Sequence, residues 1–134
     1  MARSVVVLLA VAGLAACATS TSENAGCARP GLLVSIREAV PGDSLEVQGE
    51  SFLSECGDTI ANGRAAESKG MTRPIRLFLV QGETRIDVGE AQADIETGAF
   101  ATTVTLPPGA VPGPATLETS VKDSGAAEID ILAR

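Results

Sequence analysis

An all-β domain of two packed sheets is the fold this sequence predicts, on three observations. Apolar and polar residues alternate over short stretches, Gly- and Pro-containing turns separate those stretches, and no segment carries a convincing 3.6-residue apolar period. Alternation of period two puts one side of a strand into a core and leaves the other in water, so the pattern also names the expected core residues.

Taken in order, Leu32-Leu33-Val34-Ser35-Ile36 opens the domain, and Pro41-Gly42-Asp43 turns it, with Pro fixing φ and Gly free to take positive φ. Ser44–Gly49 then alternates, with Leu45 and Val47 on one face and Glu46 and Gln48 on the other. Pro74–Gln81 sets Ile75, Leu77 and Leu79 against Arg76 and Phe78, and Gly82-Glu83 turns it back into Thr84–Gly89. Phe100, Thr102, Val104 and Leu106 share a face before the Pro107-Pro108-Gly109 break. Pro112-Gly113-Pro114 introduces Ala115–Val121, with Leu117 and Val121 expected inward. Asp123-Ser124-Gly125 reads as a tight hairpin turn before Ala127, Ile129 and Ile131. Residues 57–73 read as a long loop, in which Ala65-Ala66-Glu67 offers at most one helical turn between Gly63 and Gly70. About seven short strands in roughly 100 residues point to an immunoglobulin-like β-sandwich spanning residues 27–134.

Three motifs sharpen this. Pro41-Gly42 precedes a strand ending in Gly49-Glu50-Ser51-Phe52; Gly98-Ala99-Phe100 opens a strand that runs to Pro107; Pro112-Gly113 precedes the penultimate strand. With them the sequence resembles small exported actinobacterial proteins carrying an Ig-like, IPT-like domain. The resemblance covers most of residues 30–132 and implies a fold, not a reaction, because its motifs are turn chemistry.

The N-terminus carries an address. Arg3 precedes the uncharged run Val5–Ala12, which is far below the roughly 20 residues that span a bilayer and is instead the core of a secretory signal. Leu14-Ala15-Ala16-Cys17 then resembles the lipobox of bacterial lipoproteins. That resemblance implies a signal peptide over residues 1–16 and cleavage between Ala16 and Cys17. It also implies a thioether-linked diacylglycerol on Cys17, with further acylation (palmitate-type) of the new amino group. Two chains anchor stably where one does not. Ala18–Gly26 is small and polar and reads as a tether within the segment 17–26. The expected location is the outer side of a bacterial cell membrane, with the membrane itself as first partner through the lipid.

With Cys17 assigned, the three cysteines leave Cys27 and Cys56, and an even pair in an exported domain is read as a disulfide. Closing a loop of about 30 residues is worth roughly 3–4 kcal/mol in the chain-entropy account.

Composition excludes more than it suggests. The chain has no histidine, tryptophan or tyrosine and three phenylalanines. An imidazole base, a Ser-His-Asp triad, His-liganded zinc and the usual aromatic platforms for sugars or nucleobases are therefore all missing. No phosphate loop, redox Cys-x-x-Cys or calcium loop is present. The expected protein is no enzyme and needs no cofactor or metal, although carboxylate-only chemistry stays open in principle.

Once Arg3 leaves with the leader, nine basic residues face 17 acidic ones, a net charge of −8 that disfavours nucleic acid. Charge is uneven: residues 57–85 hold five basic side chains against three acidic ones. Arg73, Arg76 and Arg85 are the candidate patch for an anionic partner such as an envelope polysaccharide, or else they pair with the abundant carboxylates. The function expected is a monomeric, membrane-anchored envelope lipoprotein whose domain serves binding, adhesion or scaffolding, with an envelope protein or polysaccharide as partner. The alternative is an accessory lipoprotein that binds a ligand or ion, calcium or an anionic glycan.

Overall fold

The computed structural model describes residues 28–55, 60–61, 64–65 and 68–134. The signal peptide, Ala16 and Cys17, the tether, Cys27 and Cys56 lie outside them, and with them the lipidation and disulfide expectations.

Within the described residues the chain is all β. Twelve strands follow one another: β1 (Gly31–Val34), β2 (Glu38–Ala39), β3 (Ser44–Glu50), β4 (Leu53–Glu55), β5 (Ile60–Ala61), β6 (Arg64–Ala65), β7 (Lys69–Gly70), β8 (Ile75–Gln81), β9 (Thr84–Ala91), β10 (Phe100–Thr105), β11 (Gly113–Thr119) and β12 (Ala127–Ile131). They form a three-stranded sheet in the order β1-β3-β10, a five-stranded sheet in the order β2-β12-β11-β8-β9, and the short pairs β4-β7 and β5-β6. Buried residues of both larger sheets join one hydrophobic cluster, an arrangement consistent with a β-sandwich.

Alternation places the core. On β3, Leu45 and Val47 are fully buried while Ser44, Glu46, Gln48 and Glu50 face water. Ile75, Leu77 and Leu79 of β8, Val104 of β10, Leu117 of β11 and Ile129 and Ile131 of β12 meet them from the other strands. Each such side chain contributes about 1.5–3 kcal/mol on leaving water.

Three expectations are corrected. Twelve strands replace about seven, because the opening stretch divides into β1 and β2 and the presumed loop pairs with itself. β1 runs antiparallel to β3, then the chain crosses and β2 runs parallel to β12 in the other sheet. In residues 57–73, β5 pairs with β6, and β7 pairs back to β4; of the helical turn expected at Ala65-Ala66-Glu67, Ala65 is in strand β6, and Ala66 and Glu67 lie outside the described residues. The Asp123–Gly125 turn is no tight hairpin, since β11 ends at Thr119 and β12 begins at Ala127. The wider connection is tied internally and to the N-terminal stretch. The Thr119 hydroxyl accepts from Val121 N–H and bonds Ser124 Oγ at 2.7 Å, and Gly125 N–H donates to Pro30 O at 2.7 Å. Thr119 takes the buried position, and Val121 is only partly buried against the core.

The Gly-x-x-Phe and Gly-x-Phe motifs turn out to be two halves of one lock. Phe100 stands directly opposite Gly49 in the β3–β10 ladder, and its ring occupies the space a Cβ at Gly49 would need, 2.1 Å from Cε1. Phe52 packs on Phe100 with ring centroids 5.1 Å apart, and its N–H donates to Gly98 O at 2.9 Å. Gly98, at φ +70°, in turn leaves room for the Phe52 carbonyl. That carbonyl accepts from Met71 N–H at 2.9 Å, so the main chain and ring of one buried residue tie together the end of β7, the bend after β3 and the loop before β10.

Candidate functional site

The expected basic patch falls on the outward face of the β8–β9 hairpin. The ladder sets Arg76 opposite Glu90, Phe78 opposite Asp87 and Val80 opposite Arg85. The arginines reach diagonally across it. Arg76 forms an ion pair with Asp87, and the Arg85 guanidinium lies over the Phe78 ring, 4.0 Å from its centroid. The hydrogen bond and charge of Asp87 raise the Arg76 pKa further above its ordinary value. In return, the Arg76 hydrogen bond holds the Asp87 carboxyl below the usual carboxylate range, helped by Gly89 N–H at 3.0 Å.

Arg76 and Arg85 are thus brought together with Asp87 and Glu90, and with Glu83 in the turn the hairpin carries two positive charges and three negative ones. Arg73 is exposed just before β8 and forms no ion pair among the described residues. The diagonal pairing depends on a bulge at Val88, where Gly89 and Asp87 oppose the consecutive residues Leu77 and Phe78. An extra residue of this kind shifts side-chain phase, which alternation alone does not reveal.

A second feature of the same sheet is an open depression of about 500 Å³ over β8, β11 and β12, lined by Arg37, Val80, Thr116, Glu128 and Asp130 among others. Its lining combines one guanidinium and two carboxylates with Thr116 and apolar residues such as Val80 and Pro114. Two serine hydroxyls elsewhere on this sheet and its connection are already engaged: Ser120 Oγ accepts from Arg76 N–H at 3.1 Å, and Ser124 Oγ is bonded to the Thr119 hydroxyl. Among the described residues no three Cys, Asp or Glu side chains lie together as metal ligands, and no helix is long and apolar enough to cross a membrane.

The Asp94 carboxylate has a structural task. Its Oδ1 accepts from Thr97 N–H at 2.8 Å, Glu96 N–H at 2.9 Å and the Thr97 hydroxyl at 3.0 Å, closing the turn between β9 and β10. These bonds, led by Thr97 N–H, lower the Asp94 pKa. A carboxyl depressed in the folded state stabilises above its unfolded pKa, about 3.9, and that stabilisation is lost as pH falls through the lower folded value. Thermal melting should therefore show a midpoint that drops below about pH 4, with a shallower drop in Asp94→Asn. Equal acid slopes in the two proteins would refute the role of the turn.

No protein-family model matches the sequence, and no curated protein matches it. Among solved structures the chain is similar to the crystal structure of Spo0M, a sporulation control protein from Bacillus subtilis. Identity is 16%, the TM-score is 0.42, and the match covers 81% of this chain and 51% of that one. The chain therefore spans about half the length of the protein it matches.

Proposed function

We propose that this chain is an exported bacterial lipoprotein, anchored through Cys17 on the outer side of a cell membrane, whose immunoglobulin-like domain binds or scaffolds and does not catalyse. The observation that carries the anchor is the leader itself: Arg3, the uncharged run Val5–Ala12, and Leu14-Ala15-Ala16-Cys17 in that order and spacing. The strand orders support the immunoglobulin-like reading. In that scheme β1, β3 and β10 take the A, B and E places, and β12-β11-β8-β9 take G-F-C-C′. β2 continues the first strand into the opposite sheet.

A binding role is supported by what the chain offers chemically. It has no histidine to act as base, and its outward sheet face is paired charge and shallow relief. The resemblance to small exported actinobacterial proteins belongs to the same reading. Expression in a lipoprotein-processing bacterium with an alkyne-tagged fatty acid should label the wild type and leave Cys17→Ser unlabelled. Equal labelling of the two would remove the anchor from the proposal.

A further inference from the structure

Where the described chain enters the domain decides which end of it faces the anchor. Arg29 Nε donates to Asp123 O at 2.6 Å, and Gly125 N–H donates to Pro30 O at 2.7 Å. The entering chain is thus pinned to the β11–β12 connection before β1 begins. Ten residues separate Cys17 from Ala28, and at full extension they reach no further than about 40 Å. A lipid on Cys17 would therefore keep one end of the domain near the bilayer: the start of β1, the β11–β12 connection, the start of β8 and the turn between β9 and β10.

Charge on that end is sorted into two sides. The β4–β7 pair and the β9–β10 turn carry Glu55, Asp94 and Glu96 with a single cation, Lys69, which pairs with Glu55; Glu50 stands exposed at the end of β3. The other side, where β1, β11 and β8 meet the connection, carries Arg29, Arg73 and Lys122 against Asp123. Arg29 reaches the Asp123 carbonyl beside Lys122, in a turn closed by Ser124 N–H on Val121 O at 3.3 Å. Arg73 lies three residues before Arg76, whose N–H and C=O both bond Ser120, two residues before Lys122. All three cations are exposed, and none forms an ion pair among the described residues. The Arg76–Asp87 pair and Glu90 sit further along the β8–β9 hairpin. At the opposite end of the domain the guanidinium of Arg134 is bonded to Pro41 O, near Asp43.

We propose that the anchored domain leans on a bilayer containing anionic lipid by this corner, with Arg29, Arg73 and Lys122 against the headgroups and the acidic side of the same end lifted clear. The proposal deepens the anchored reading above and rests on it. An acidic protein is not drawn to an anionic surface from free solution. A domain on a short tether meets the surface at an effective concentration of about millimolar, so a few contacts suffice to set its posture. Each basic residue held at an anionic surface raises occupancy about fivefold, and three of them outweigh the one carboxylate of Asp123.

The chain has two lysines, and they stand on opposite sides of this end: Lys122 on the corner, and Lys69 on β7, next to the Asp94–Gly98 turn. The purified lipidated chain is placed on phosphatidylcholine vesicles with and without an equal part of phosphatidylglycerol. Acylation of each lysine by a membrane-impermeant reagent is then followed by mass spectrometry. Phosphatidylglycerol should slow Lys122 about fivefold relative to Lys69, and salt at about 0.5 M should restore the ratio. The double change Arg29→Glu/Arg73→Glu should abolish the slowing. Asp123→Asn removes the corner's carboxylate, keeps a residue that tolerates φ +62°, and should deepen it. Equal rates on the two kinds of vesicle, slowing of Lys69 in place of Lys122, or slowing that survives the double change overturns the proposal. So does slowing produced by a soluble anionic glycan and not by lipid, which would make the glycan the occupant. A chain that floats with vesicles yet shows equal rates keeps its anchor and loses the docking, whereas one that floats with neither loses both.

Discussion

Phe52→Ala is expected to lower the unfolding free energy by about 3–5 kcal/mol, the range for deleting a buried aromatic ring. Phe52 is fully buried, and the space its ring leaves is bounded by Phe100 and by backbone that the Phe52 amide and carbonyl hold in place. Those main-chain bonds survive the substitution, so the walls cannot collapse into the void and the cavity persists. Domains of this size are stable by about 5–15 kcal/mol, so the loss consumes a large share of the total. Phe78→Ala is the internal comparison. That ring is only partly buried on the outer face, where it supports Arg85, and its stacking is worth about 0.5–1 kcal/mol. Denaturant unfolding of the two variants should therefore separate them by several-fold in cost. Similar losses for both would mean that Phe52 is no hub.

That contrast also marks what the sequence makes legible. Period-two alternation turns Leu45 and Val47, Ile75, Leu77 and Leu79, and Ala127, Ile129 and Ile131 inward, and all are buried. Alternation works there because each strand has one face in the core and its neighbours keep it in phase. It gives way wherever phase is broken or a strand is too short to show a period. β2, β5, β6 and β7 have two residues each, and the β9 bulge moves Asp87 into reach of Arg76. For the candidate patch, residue order could raise both outcomes, a free basic surface or paired arginines, and only the diagonal geometry assigns Arg76 to Asp87.

Gly70→Ala should be the most damaging change of a single methyl group in the domain. A Cβ at Gly70 would sit 1.9 Å from Asp94 O, 2.8 Å from Asp94 C and 3.0 Å from Ile95 Cα, and all three obstacles are backbone atoms. Gly70 cannot retreat cheaply, because its own N–H donates to Ile95 O at 2.7 Å and the next amide, Met71, donates to Phe52 O. Nor can the Asp94 turn move, since its carboxylate holds Glu96 and Thr97 and its main chain bonds Ala99 and Gly98. Gly49 faces a comparable conflict, but with the Phe100 ring, a side chain that can rotate aside at some cost to packing. Overpacking against a rigid wall belongs at or beyond the top of the usual range of about 1–3 kcal/mol. Gly109→Ala is the control, because nothing lies within 4 Å of its added methyl; it should change stability by no more than about 0.5 kcal/mol. If the Gly70 clash is relieved locally, exchange of the Met71 and Gly98 amides should accelerate well before the β3 and β8 amides do, detaching residues 68–74 from the core. A Gly70→Ala protein that melts with Gly109→Ala and keeps both amides protected would mean that the backbone at Asp94 does not approach this closely.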